Sequence, residues 1–177
     1  MPILYPVVEE WVARGNQLAH ELHRSAEYER AEVQYRAMLP WANRKQRATL
    51  LNNLAMLLRD NGPLNEAVPM MEESLKIRRE LEGEMHPETL LALSNLASLR
   101  GAMGDWKQAG RIFRQVLAER QKTGERPNLG LADTLVNVAL IEKLEGRFLD
   151  SLAHLAQALE LLPPDSTRSL ATIHNNM

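Results

Sequence analysis

The sequence predicts an all-α solenoid of stacked antiparallel helical hairpins, and two observations carry that prediction. Asn53, Asn95 and Asn137 recur at a spacing of 42, inside the blocks Asn53-Leu54-Ala55, Asn95-Leu96-Ala97 and Asn137-Val138-Ala139. Each block is then followed by the same punctuation. Gly62, Gly104 and Gly146 come seven residues after the alanine, and Leu64, Trp106 and Phe148 two further on. Ala67, Ala109 and Ser151 come three later, and Leu75, Leu117 and Leu159 eight beyond those. A fixed period of this size marks a repeat architecture. Its units bury their apolar faces only against one another, and it offers a binding surface more often than a catalytic pocket.

A first hairpin is expected over residues 11–39, where Gln17-Leu18-Ala19 aligns with Asn53-Leu54-Ala55 at a spacing of 36. Ala26, Tyr28, Ala31 and Leu39 then match Gly62, Leu64, Ala67 and Leu75, and Pro40 closes the unit. The second hairpin, 46–80, opens with Leu51, Leu54, Ala55 and Leu58, an i, i+3, i+4, i+7 stripe on one helical face. Asn61-Gly62-Pro63 reads as a left-handed stop followed by a proline fit for the next first turn. The stripe Leu64, Ala67, Val68, Met71, Leu75 makes its second helix.

Gly83 and His86-Pro87 form the linker to the third hairpin, 88–121. Its turn is Gly104-Asp105, with Asp105 as N-cap, and its second stripe is Trp106, Ala109, Phe113, Val116, Leu117. Trp106 occupies the bulky slot of Leu64 and Phe148 and is expected in the core; Trp11 and Trp41 are expected in the core or at hairpin edges. Gly124, Pro127 and Gly130 precede the fourth hairpin, 130–162, and Pro163-Pro164 follow it. A partial fifth repeat spans 168–177, where Thr172-Ile173-His174-Asn175-Asn176-Met177 mirrors Thr49-Leu50-Leu51-Asn52-Asn53-Leu54. The whole of 1–177 thus reads as one array that stops in mid-helix, either cut from a longer one or covered at that end by another molecule. Ala55, Ala97 and Ala139, with Ala67, Ala109 and Ser151, are expected where the two helices of a hairpin approach closely, since larger side chains there would overpack.

The composition narrows the function. Of 177 residues, 45% are hydrophobic and 25% charged, ordinary for a folded soluble chain. A net charge of −2 argues against nucleic acid as partner, which calls for an excess of Lys and Arg, and gives no motive for an anionic membrane. The absence of cysteine removes disulfides, thiolate metal sites and cysteine nucleophiles together. The apolar start Met1–Val8 lacks a basic leader and runs at once into Glu9 and Glu10, unlike a signal peptide, and no apolar run reaches the length of a membrane span. A cytoplasmic location is expected.

These residues resemble the tetratricopeptide repeat (TPR) family, in the 42-residue variety of kinesin light chains and their bacterial relatives. The resemblance covers about residues 13–177 and rests on Leu51-Asn52-Asn53-Leu54-Ala55, the turn glycine, Glu66-Ala67-Val68-Pro69, and the linker Leu81-Glu82-Gly83-Glu84-Met85-His86-Pro87-Glu88-Thr89. It implies a right-handed superhelix whose first helices line a concave groove for an extended or helical peptide. It also implies that Pro69 is tolerated inside its helix. The family's late first-helix tyrosine is replaced by Leu58, Arg100 and Glu142, and the first block lacks the turn glycine.

By the resemblance, the inner face carries Asn16, Gln17, His20 and Arg24, then Thr49, Asn52, Asn53, Met56 and Arg59. It continues with Ser94, Asn95 and Ser98, then Asp133, Val136, Asn137, Leu140 and Lys143. The recurrent asparagines are the sharpest candidates for peptide binding, because a carboxamide both donates and accepts and can pair with a peptide backbone of any sequence. The alternative is that they bond to neighbouring repeats and only order the stack. Arg24, Arg59 and Lys143 offer cations to an acidic partner, or are plain solvated charge. His20 and His23 lie on adjacent turns without a third ligand, so no metal site is expected. No cofactor motif and no catalytic constellation is present either. The reading is a non-catalytic protein- or peptide-binding scaffold. The alternatives are a sensory or regulatory segment of a larger bacterial signalling protein, and a module that forms homo-oligomers through its open C-terminal end.

Overall fold

The computed structural model describes residues 4–122 and 129–162. Among them the chain is all-α, with eight α-helices and one short 3₁₀ turn: α1 (Leu4–Arg24), α2 (Tyr28–Met38), the turn Leu39–Trp41, α3 (Arg44–Asn61), α4 (Leu64–Glu82), α5 (Pro87–Ala102), α6 (Trp106–Lys122), α7 (Leu129–Leu144) and α8 (Phe148–Leu161). The chain divides into two compact units, Met1–Met103 and Gly104–Met177. The expected fragment at 168–177 lies outside the described residues, as do Gly124, Pro127 and Pro163-Pro164.

In the first unit α1 packs on α2, α3 on α4, and α5 on both α3 and α4, while α1 also meets α3. The core is aliphatic: Leu50, Leu54, Leu57, Leu58 and Met71 are all but inaccessible, and so is Tyr35. Ala55 and Ala67 are fully buried on the packed pair α3 and α4, and Ala97 is fully buried on α5. Ser74 Oγ, buried on α4, donates to the carbonyl of Ala48 on α3 at 2.7 Å. In the second unit α7 packs on both α6 and α8. Ser151 Oγ reaches across the last hairpin to the carbonyl of Ala139 at 2.8 Å, so the small-residue pair Ala139 and Ser151 marks the close approach of α7 and α8.

Local chemistry explains the helix ends. Asn43 and Gln46 form a capping box, each side chain bonding the other's backbone N–H, which starts α3 at Arg44, ahead of the hydrophobic stripe. Asp105 accepts from the N–H of Gln108 at 3.0 Å, the cap expected of it. His86, taken as a linker residue, is the N-cap of α5: its Nδ1 accepts from the N–H of Glu88 at 3.2 Å, and Pro87 follows at the first helical position. Pro69 sits inside α4 without ending it. Its missing N–H leaves one carbonyl unmatched near the start of the helix, a loss that the packing of α4 between α3 and α5 outweighs.

Two expectations are corrected. Gly62 is not left-handed: its φ of −144° and ψ of −169° are extended. The following Pro63 is the cause, because a proline ring excludes the helical region for the residue before it. Gly104 and Gly146 do take positive φ, at 86° and 77°, and Ala26 holds the same conformation in the first hairpin at 59°. Trp106 is not core but 45% exposed, and Phe148 is 62% exposed. Each is the first residue of its helix, where one flank looks past the hairpin rather than into it. Trp11 and Trp41 are likewise exposed, at edges of the first hairpin rather than inside it.

Candidate interaction surface

The first helices of the first unit bring four carboxamides into one hydrogen-bonded row. Asn53 Nδ2 on α3 donates to Asn16 Oδ1 on α1 at 3.0 Å. Asn52 Nδ2 donates to Asn53 Oδ1 at 3.1 Å, and Asn95 Nδ2 on α5 donates to Asn52 Oδ1 at 2.9 Å. The row obeys a rule of register. Asn16 stands at the position of Asn52 in the earlier repeat, and Asn95 at the position of Asn53 in the later one. Each contact between helices therefore joins the second asparagine position of one repeat to the first position of the repeat before it.

The row does not exhaust its members. A carboxamide has two N–H donors and two acceptor lone pairs, and Asn53 spends one of each within the row. Asn16, Asn53 and Asn95 are half-buried, whereas Asn52 is buried at 7% exposure. Asn52 is the strut, and the other three members of the row retain polar capacity toward solvent. The position equivalent to Asn52 on α5 carries no carboxamide. Ser94 holds the position of Asn52 there, and its hydroxyl is turned back onto the carbonyl of Leu90 at 3.0 Å. Ser98, one turn on, does the same to Ser94 at 3.2 Å.

A cavity of about 260 Å³ opens beside the Asn16 end of the row, lined by Val12, Ala13, Asn16, Lys45, Gln46, Thr49 and Leu50. Gln46 Nε2 donates to the carbonyl of Glu9 at 2.8 Å and Asn43 Nδ2 to the Glu9 carboxylate at 2.9 Å, so the capping box of α3 also fixes α1 beside it. Nothing in the repeat pattern singled out Lys45 or Val12; only the pairing of α1 with α3 brings them together.

The other expected residues are placed as follows. Gln17 and His20 are exposed on α1, Gln17 donating to Glu21 at 3.2 Å. Arg24 is exposed at the end of α1, and Met56 is half-buried on α3. Thr49 Oγ1 donates to the carbonyl of Lys45 at 3.4 Å. Arg59 is engaged with its neighbour Asp60 at 2.8 Å, and His23 Nε2 donates to Asp60 from α1 at 2.9 Å. Burial by itself would raise the Asp60 carboxyl, but the hydrogen bonds from Arg59 and His23 together hold it below the ordinary carboxylate value. Asn137 and Lys143, with Asp133, Val136 and Leu140, belong to α7 of the second unit. In that unit Glu142, at the family's tyrosine position, is buried to 3% exposure and accepts from His154 Nδ1 at 2.7 Å. Among the described residues no group of three or more His, Cys, Asp or Glu side chains is arranged to hold a metal ion. No described helix is long and apolar enough to cross a membrane.

Helical hairpins repeating in this register, with small residues at the close approach and a polar row on the first helices, define an α-helical repeat protein of the TPR class. The tetratricopeptide repeat family model matches residues 46–122 and 88–163, and the chain belongs to that family. Within it the chain is kinesin-light-chain-like. It is 31% identical over 97 residues to Protein KINESIN LIGHT CHAIN-RELATED 2 of Arabidopsis thaliana, a match covering 55% of this chain and 15% of that protein. It is 32% identical over 91 residues to the mitochondrial Tetratricopeptide repeat protein 19 of Rattus norvegicus, covering 51% of this chain and 24% of that one. These matches thus span less than a quarter of the curated relatives' length. Among solved structures the fold is similar to BtubC (BKLC) from P. vanneervenii, with a TM-score of 0.74 at 25% identity over 85% of this chain and 62% of that one. A Podosopora anserina putative kinesin light chain with nearly identical TPR-like repeats shares the fold at a TM-score of 0.73 and 19% identity, over 91% of this chain and 81% of that one.

Proposed function

We propose that this chain is a non-catalytic scaffold that binds a protein or peptide segment on the face carrying Asn16, Asn53 and Asn95. The observation that carries this reading is the asparagine row itself. It fixes three half-buried carboxamides at a set spacing along neighbouring first helices while leaving each with unspent donors or acceptors. Groups ordered in advance lose little rotamer freedom when a ligand arrives, so more of each new hydrogen bond appears as affinity. A peptide main chain, with alternating donors and acceptors, is the partner that such a row fits regardless of side-chain sequence. Gln17, His20, Met56, Arg59 and Ser98 flank the row on the same three helices, and Lys45 and the apolar cavity beside Asn16 would receive a side chain. Membership in a family that generally serves as an interaction scaffold supports the reading.

The test is to select binders from a displayed peptide library on the immobilised chain. Their affinity is then measured by fluorescence anisotropy for wild type, for Asn53→Ala/Asn95→Ala, and for Lys76→Ala at an exposed position of α4. Circular dichroism confirms that each variant is folded. A loss of about tenfold or more in the asparagine variant, with Lys76→Ala unchanged, supports the reading; two or three lost hydrogen bonds are enough to produce it. Full affinity in the asparagine variant together with loss in Lys76→Ala would move the binding surface to the opposite face.

A further inference from the structure

Where α4 gives way to α5, two acceptors face one another. His86 Nδ1 and Glu82 Oε2 are 3.2 Å apart. His86 Nδ1 already accepts the N–H of Glu88 at 3.2 Å, so in this capping state it carries no hydrogen and the ring is protonated at Nε2. Glu82 Oε2 is buried and receives no hydrogen bond from any described residue. Arg78 Nη1 stands 3.8 Å from it, beyond hydrogen-bond reach, and is committed to Glu88 Oε2 at 2.7 Å. A buried acceptor left empty costs free energy, and folded chains keep few of them.

The charges around this pair are balanced while His86 is neutral. From α3, Lys45 Nζ lies 3.4 Å from Glu82 Oε1. From α4 come Arg78 and Glu82, and from α5 comes Glu88. In the connection between the two helices Glu84 is taken by Arg79 at 2.9 Å. Two cations, Lys45 and Arg78, thus stand against two carboxylates, Glu82 and Glu88. A proton arriving here has a vacant place, between His86 Nδ1 and Glu82 Oε2. It also has a way in: the His86 side chain is 41% exposed, against 12% for Glu82. Imidazole is the side chain that ordinarily changes charge near neutral pH.

We propose that His86 is a proton-operated switch at the joint of α4 and α5. Neutral, its Nδ1 caps α5 by accepting from the Glu88 N–H; protonated from solvent, the same nitrogen donates to Glu82 Oε2 and releases the Glu88 N–H. One nitrogen cannot do both, because its single in-plane lone pair either accepts or carries the hydrogen. Acid therefore exchanges a neutral bond at the start of α5 for a charge-assisted bond from residue 86 to α4. The first turn of α5 loses its cap while its connection is strapped more firmly to the preceding helix. The switch needs no ligand and stands apart from the asparagine row.

Nuclear magnetic resonance on the full chain, at about pH 8 and about pH 5, tests it across the range in which imidazole changes charge. At the higher pH the His86 ring should carry its hydrogen on Nε2 and none on Nδ1. At the lower pH Nδ1 should be protonated, and the Glu82 carboxyl carbon should shift in step with the ring. Protection of the Glu88 amide, taken relative to its intrinsic exchange rate at each pH, should fall about threefold or more, the worth of one modest hydrogen bond. The amides of α3 report at both pH values that the chain stays folded. His86→Asn supplies a cap that does not titrate, so its Glu88 protection should be the same at both pH values. A neutral ring with its hydrogen on Nδ1 overturns the proposal. So does Glu88 protection that survives protonation of the ring, or a fall of equal size in His86→Asn.

Discussion

If the asparagine row is a connected network, Asn52 and Asn95 must be energetically coupled, and a double-mutant cycle measures that coupling directly. Asn52 is 7% exposed and holds two hydrogen bonds, one given to Asn53 and one received from Asn95. Asn52→Ala removes both, each with a net worth of about 0.5–1.5 kcal/mol, so a destabilisation of roughly 1–3 kcal/mol is expected. The orphaned ends on Asn53 and Asn95 are half-buried, so water recovers part of the loss and holds the cost near the lower half of that range. Asn95→Ala removes one bond but strands the buried Asn52 oxygen, for about 1–2 kcal/mol. The double variant loses the shared bond only once and leaves no stranded oxygen on residue 52. It should therefore be less damaging than the sum of the singles by about 0.5–1.5 kcal/mol. Urea unfolding of all four proteins by far-ultraviolet circular dichroism provides the cycle. A repeat protein can depart from two-state behaviour, so unchanged m-values across the four are the condition for reading midpoints as free energies. Additivity within about 0.3 kcal/mol would refute the network and reduce the row to independent surface amides.

Further outcomes follow from single positions. Ala26 holds a φ of 59°, a conformation that costs a residue with a Cβ about 1–2 kcal/mol, so Ala26→Gly should raise stability by about 0.5–1 kcal/mol once the extra freedom of unfolded glycine is subtracted; a lower urea midpoint would show that the turn gains nothing from glycine. Ala97→Leu, at a fully buried position, should destabilise by roughly 1–3 kcal/mol through overpacking, and an unchanged melting temperature would deny the close approach of helices there. Tyr35 is fully buried, and its hydroxyl has no hydrogen-bond partner among the described residues, so Tyr35→Phe should be neutral or stabilising by about 1 kcal/mol; a loss of that size would reveal a partner for the hydroxyl. Burial also pushes the Tyr35 phenol up from 10.0 to about 12. The folded chain keeps that proton more tightly than the unfolded chain, so the stabilisation is intact below pH 10 and is lost as pH rises toward 12. The loss is on the order of 2–3 kcal/mol, and alkaline titration of Tyr35→Phe should lack it.

Much of the fold was legible because the repeat announces itself in residues with backbone or steric duties. Gly104 and Gly146 take the positive φ that glycine allows, and Ser151 marks the close approach of α7 and α8 through its bond to the carbonyl of Ala139. The misreadings arose where a neighbour changes the duty. Gly62 is extended because Pro63 follows it, and His86 caps α5 because Pro87 opens that helix. Trp106 is bulky and periodic, yet periodicity reports only that a slot recurs, and this slot is the first residue of its helix, exposed at Trp106 and Phe148 and half-buried at Leu64.

The site carries the same lesson in a sharper form. The period of 42 picks out Asn53, Asn95 and Asn137 as equivalents, which suggests a ladder of like with like. In the first unit the equivalents do not bond to each other. Asn95 reaches Asn52, Asn53 reaches Asn16, and the bond from Asn52 to Asn53 joins the two links. A repeat in sequence identifies positions that share an environment, whereas a contact between repeats joins positions that differ. The partner of a recurrent residue must therefore be sought one place off the period. Here that place holds Asn16 and Asn52 but Ser94 in the third repeat, which bonds to its own helix. Which links form in the first unit is thus set not by the recurrent asparagine alone but by the residue at the preceding position of the repeat before, Asn16 for Asn53 and Asn52 for Asn95.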